Sequence, residues 1–192
     1  MSANAIINVT KAFRDRLAAG LAKSGIPGTV FIGPLDDVDA SGAKLILFLY
    51  RVVPNASLRN REHIVANLAP DPPTVFRNSL PLDLFYLVTV GTELGDSEES
   101  LLQVLGFAMR EIQNDPELTG PDLEFQTVHL SLEPLSTEEA SRIWALFPTA
   151  NYRTSIAYLA TPVWIDPEHP PLTAGLVVED RLRAGVKTTE AV

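Results

Sequence analysis

The sequence predicts an α/β (α+β) fold: a single domain with a mixed central β-sheet flanked by about three helices. Three observations carry that expectation. Residues 44–53 (KLILFLYRVV) and 82–90 (LDLFYLVTV) are long apolar runs without clean polar alternation, the pattern of central strands buried on both faces. Other segments repeat their apolar residues at helical spacing. The order of elements is helix, strands, helix, strand, helix, strand, which suits a sheet with helices packed against it.

Residues 4–23 form the first expected helix, with Ile6, Phe13, Leu17 and Leu21 on one stripe, Ile7 close to it, and most charges elsewhere. Gly25 and Pro27 stop it. Residues 29–32 are a short β-branched and aromatic strand ended by Gly33 and Pro34. After the first apolar run, Pro54 and Asn55 open a poorly patterned connector, residues 56–81, carrying Pro70, Pro72, Pro73 and Pro81. In the second run Asp83 is the only charge, expected as a solvated carboxylate at a strand edge. Gly91 to Gly95 make a turn. Residues 98–114 form a helix with Leu101, Leu102, Leu105, Met109 and Ile112 inward, Asp96 and Glu99 at capping-box spacing, and Pro116 as terminator.

Residues 124–133 alternate, with Gln126, Val128, Leu130 and Leu132 on one face of a half-buried strand and Phe125, Thr127, His129 and Ser131 on the other. Ser136 and Glu139 make a second capping box for a short helix, 137–147. A last strand, 152–166, is interrupted at Pro162, which has no N–H to give to a ladder. The expected core joins Leu17, Leu47, Leu49, Leu84, Tyr86, Val88, Leu105, Met109, Leu130, Ile143, Trp144, Ile156 and Tyr158. Residues 1–166 thus read as the domain and 167–192 as an extended C-terminal arm.

Composition narrows the function. The chain has 192 residues and a net charge of −9, and its longest basic cluster is Arg59, Asn60 and Arg61, expected in a solvated turn. That argues against a nucleic-acid backbone as the main partner. The absence of cysteine rules out disulfides, thiolate metal sites and cysteine nucleophiles, and is compatible with a reducing cytoplasm. The N-terminus has no apolar signal region, and the longest apolar run, 45–50, is far short of the ~20 residues that span a bilayer.

The motifs of catalysis are missing. There is no G-x-S-x-G elbow, Walker A loop or G-x-G-x-x-G turn. His63, His129 and His169 are far apart in sequence, and His129 is expected as a satisfied structural histidine in its strand. Glu98, Glu99, Glu138 and Glu139 fall in first helical turns, where they complement the helix dipole. Asp36, Asp37 and Asp39 form a D-D-x-D loop without the glycine and distal glutamate of an EF-hand, and read as solvated. No enzyme, cofactor or metal site is expected. A mean hydropathy of +0.11 and proline-rich segments at 69–81 and 167–171 instead suit a protein that assembles with others.

Several segments taken in order carry a family resemblance: LILFLYRVVPNASLRN (45–60), PLDLFYLVTVG (81–91), LLQVLGFAMREIQNDPEL (101–118), VHLSLEPLSTEEASRIWALF (128–147) and YRTSIAYLATPVWID (152–166). Together they resemble the cap, or tail-terminator, proteins of bacterial extracellular contractile injection systems, which are phage-tail-like particles. The resemblance implies a tail-terminator-like fold and a structural role. Such a protein would form a homo-oligomeric ring, a hexamer, at the particle end distal to the baseplate. It would contact sheath and inner-tube subunits there and stop their growth, assembling in the cytoplasm without nucleic acid or membrane insertion. Candidate interface residues are Arg59, Arg61, Phe76 and Arg77 in the connector and Pro167, Pro170, Pro171 and Leu172 in the arm. The alternative is a small adaptor or ligand-binding module with a pocket beside the central strands.

Overall fold

The computed structural model describes residues 3–65, 73–91, 97–124, 126–168 and 172–173. Helix α1 (Ala5–Lys23) leads into β1 (Val30–Ile32), β2 (Leu45–Pro54), β3 (His63–Val65), β4 (Thr74–Phe76) and β5 (Leu80–Val90). Helix α2 (Glu98–Asn114), β6 (Glu117–Leu118), β7 (Val128–Glu133), α3 (Thr137–Trp144), β8 (Ser155–Ile165) and β9 (Leu172–Thr173) complete the order. Six strands form a mixed sheet in the order β1-β2-β5-β8-β7-β6, with β1 parallel to β2 and every other pair antiparallel. β3, β4 and β9 form a separate three-stranded antiparallel sheet.

The expected α+β class and mixed central sheet are therefore found, and the two apolar runs are its adjacent central strands, β2 and β5. The core departs from expectation by being divided between the two faces of this sheet. On one face α1 and α2 cover Leu47, Leu84, Tyr86, Val88, Leu130 and Tyr158. On the other, Ile143, Trp144 and Phe147 pack on Ile46 and Leu87. Strand alternation sends neighbouring residues to opposite faces, so Ile46 and Leu47 belong to different clusters.

Helix α1 buries Ala5, Val9, Phe13, Leu17 and Leu21, each four residues from the next. Phe13, Leu17 and Leu21 thus face the core as expected, Ala5 and Val9 extend their stripe, Ile6 is half-buried against it, and Ile7, placed close to it, is exposed. Phe13 meets Tyr86 and Tyr158 edge-on, with ring centroids 5.4 and 5.6 Å away, a favoured geometry for aromatic quadrupoles. The buried Tyr86 hydroxyl is satisfied by Thr10 Oγ1 at 2.8 Å. A Schellman cap ends the helix: Gly25 has φ +70°, its N–H donates to Ala22 O, and the Ile26 N–H donates to Leu21 O.

Helix α2 spans the expected residues, but its cap is Ser97, whose Oγ accepts from Ser100 N at 3.2 Å; Asp96 lies outside the described residues. The Ser136–Glu139 capping box of α3 is present in both directions, although α3 itself stops at Trp144. Gly91 permits a close approach at the start of β2: a Cβ there would lie 1.5 Å from Ala43 O, and its N–H donates to Lys44 O at 2.8 Å.

β7 begins at Val128, later than expected, with Gln126, Val128 and Leu130 buried as anticipated but Leu132 exposed; Phe125 lies outside the described residues. Leu132, at the far end of β7, borders an open hollow shared with Met109 and Arg110 of α2, which leaves it in contact with solvent. In β8 the interruption at Pro162 is a bulge, since Thr161 and Pro162 together oppose Asp83 of β5.

Candidate assembly surface

The connector 56–81 is more structured than its sequence pattern suggests, because it carries β3 and β4. Three-residue strands show too little periodicity to read, and although β3 and β4 pair with each other, their third partner, β9, lies far along the chain. Val65, Ile64 and His63 pair with Thr74, Val75 and Phe76, and Val75 pairs in turn with Leu172.

A polar cluster joins this small sheet to the end of the large one. His63 Nδ1 lies 2.8 Å from Asp166 Oδ1, and Ser79 Oγ donates to the same oxygen at 2.6 Å. All three residues are buried. The His63 ring stacks on Trp164 (centroids 4.9 Å apart, planes at 8°) and on Phe76 (5.8 Å, 22°). Burial raises the pKa of the Asp166 carboxyl, while the hydrogen bonds it receives, from His63 and Ser79 among others, lower it; the net position is below the ordinary carboxylate value.

The residue types are those of a nucleophilic triad, but the arrangement is not. In such a triad the imidazole stands between hydroxyl and carboxylate and takes the hydroxyl proton. Here the carboxylate stands in the middle, and Ser79 donates to it rather than to the imidazole. The cluster therefore suits positioning rather than nucleophile activation, fixing β3, the entry to β5 and the exit of β8 at one point. Sequence reasoning missed it because its members are 103 and 87 residues apart. His129, expected as the structural histidine, is exposed, since its neighbours Val128 and Leu130 turn to the helix-covered face. His169 lies outside the described residues.

A second polar knot positions the turn after β2. Asp83 is not a solvated edge residue: it is half-buried in a central strand, where Asn55 Nδ2 donates to its Oδ1 at 2.9 Å and Thr161 Oγ1 donates to the same atom. Asn55 Oδ1 accepts from Ser57 N and Leu58 N at 3.0 and 3.1 Å, an Asx turn. This turn presents Arg59 and Arg61, both exposed as expected. Arg77, also exposed, donates from Nε to Glu62 at 3.2 Å.

Of the candidate interface residues, Arg59, Arg61, Phe76 and Arg77 thus share the end of the molecule that holds the small sheet. Phe76 is half-buried against His63, and Pro167 is half-buried just after Asp166. Leu172 lies in β9, and Pro170 and Pro171 lie outside the described residues.

At the opposite end of β2, Asp36, Asp37 and Asp39 surround a single 3₁₀ turn, Val38–Ala40, in which Asp37 accepts from Asp39 N at 2.9 Å. Beside them a hollow of about 270 Å³ is lined by Leu35, Val38, Ile46, Val90, Trp144 and Arg153, among others. Trp144 Nε1 donates to Ser155 Oγ at 3.2 Å, and its ring lies 5.1 Å from that of Tyr152. Among the described residues, no group of three or more His, Asp or Glu could hold a metal ion, and no helix is long and apolar enough to cross a membrane.

The model of the Pvc16 N-terminal domain family matches residues 8–179. Two solved structures share the fold. One is the sheath/tube terminator of the PVC extracellular contractile injection system in its extended state (TM-score 0.59, 18% identity, covering 96% of this chain and 65% of that one). The other is the tube-terminating cap of the anti-feeding prophage (TM-score 0.59, 17% identity, covering 92% and 60%). The chain therefore spans less than two thirds of the length of either structure. No curated protein matches it in sequence.

Proposed function

The chain belongs to the Pvc16 N-terminal domain family, and from that premise we propose that it is a structural terminator of a contractile, phage-tail-like injection particle. It caps the inner tube and the last sheath layer at the end distal to the baseplate, as a closed homo-oligomeric ring of six copies. The observation that carries this reading is the fold shared with two terminators over more than nine tenths of the chain.

The physical requirement of termination is asymmetry. One surface must accept the last tube or sheath layer, and the opposite surface must offer no site for the next. Head-to-tail contacts satisfy this when their rotation closes a ring, since a contact that does not close gives an open filament. The C-terminal arm and the 56–81 connector are the segments proposed to reach tube and sheath, because extended chain adds to sheet edges by main-chain hydrogen bonds.

Two measurements test the reading. Particles assembled without this protein should have tubes and sheaths of unregulated length by electron microscopy, and uniform lengths would reject termination. Light scattering of the purified chain, alone and with tube ends, should reveal a discrete mass near six protomers; a monomer under both conditions would reject the ring.

A further inference from the structure

The two loops that flank β2 differ in charge and share exposed apolar groups. Before the strand, Asp36, Asp37 and Asp39 surround Val38, which is 78% exposed beside the Trp144 hollow. After it, Arg59 and Arg61 stand near the small sheet, on which Ile64 is 61% exposed. Their guanidinium groups have no partner among the described residues. Ten residues of strand separate the loops, about 30 Å at the rise of an extended chain.

We propose that these surfaces are the two halves of one heterologous contact between copies of this chain. The 56–61 turn and Ile64 of one copy seat on the Trp144 hollow and the 36–39 loop of the next. The inference rests on the ring reading above and names the surface that builds the ring. A hollow with a carboxylate rim fits a guanidinium, which pairs with carboxylates, while the buried Trp144 and its apolar neighbours Leu35 and Ile46 form the floor. Arg153 is the cation already lining it, and it donates to the Gly91 carbonyl. Both halves lie in one chain at opposite ends of one strand, so each copy can give and receive once, as a ring requires.

The test uses charge reversal. Asp36→Lys with Asp39→Lys reverses the acidic loop and leaves the Asp37 cap in place; Arg59→Glu with Arg61→Glu reverses the other. Each pair alone should raise the concentration for half-assembly about tenfold or more by light scattering, with an unchanged circular dichroism spectrum. All four substitutions together should restore assembly. Because the chain has no cysteine, Val38→Cys and Ile64→Cys variants add a second reading: mixed and oxidised, they should form the 38–64 heterodimer. Wild-type assembly by either reversed pair, or disulfides only between identical variants, would overturn the contact and leave the ring reading standing. Absence of any ring from the wild-type chain, alone or on tube ends, would overturn both.

Discussion

The two sheets of this molecule are held by different physics. The six-stranded sheet is clamped by apolar burial on both faces, with Phe13, Leu17, Leu47, Leu84 and Tyr86 withdrawn from solvent on the helical side. In the small sheet Val75 is the buried hydrophobic residue among the described side chains, and the sheet is fastened by His63, Asp166 and Ser79. Burial of apolar surface is non-directional and roughly proportional to the area removed from water. A buried carboxylate held by several donors requires a defined geometry and is sensitive to the loss of any of them. The body of the protein is thus built for stability, and the small sheet for placing its strands and the chain that leaves β8.

That contrast can be broken from either side. The largest effect is expected from Phe13→Ala, which empties a fully buried site between Tyr86 and Tyr158. It should lower the unfolding free energy by about 4 kcal/mol, read as a shift in the urea midpoint of the whole domain. His63→Ala should cost less, about 2 kcal/mol, and act locally. Amide exchange should rise at 63–65 and 74–76 while β2 and β5 stay protected; a uniform rise would place the cluster in the common core.

Acid should sharpen the same distinction. The Asp166 pKa sits below its ordinary value, so its contribution is complete above the unfolded carboxyl value of about 4. It is lost as pH falls through the lower folded value. Exchange at β3 and β4 should therefore accelerate below about pH 4 before the large sheet opens, and Asp166→Asn should remove that step. The smallest effect is expected from Ser97→Ala, which deletes the α2 cap on the other side of the molecule. It should cost about 1 kcal/mol, lower Tm by a few degrees, and leave the small sheet's exchange unchanged.

Much of the body was legible in the sequence because its signals are local. Gly25 ends α1 through a positive φ, and Ser136 with Glu139 starts α3 through a reciprocal cap. The apolar runs of β2 and β5, rich in β-branched and aromatic residues, have the pattern of central strands. On α1 the pattern leaves out Ala5 and Val9, which are weaker hydrophobic signals than Ile6 and Ile7, yet tertiary packing buries both completely. The cap of α2 was misread for a related reason: Asp96 and Ser97 are both good capping residues, and backbone geometry decided between them.

The sequence alone determined the fold class, the central strands, the stop of α1, the capping box of α3 and the basic and acidic loops, since each is encoded within about twenty neighbouring residues. Tertiary structure decided the rest. It divided the core between two faces, drew Asp83 inward as the anchor of the turn that carries Arg59 and Arg61, and brought His63, Ser79 and Asp166 together from distant segments. The physical reason is one of range. Periodicity and capping are properties of a local segment, whereas the hydrogen bonds that satisfy a buried carboxylate depend on which segments folding makes neighbours.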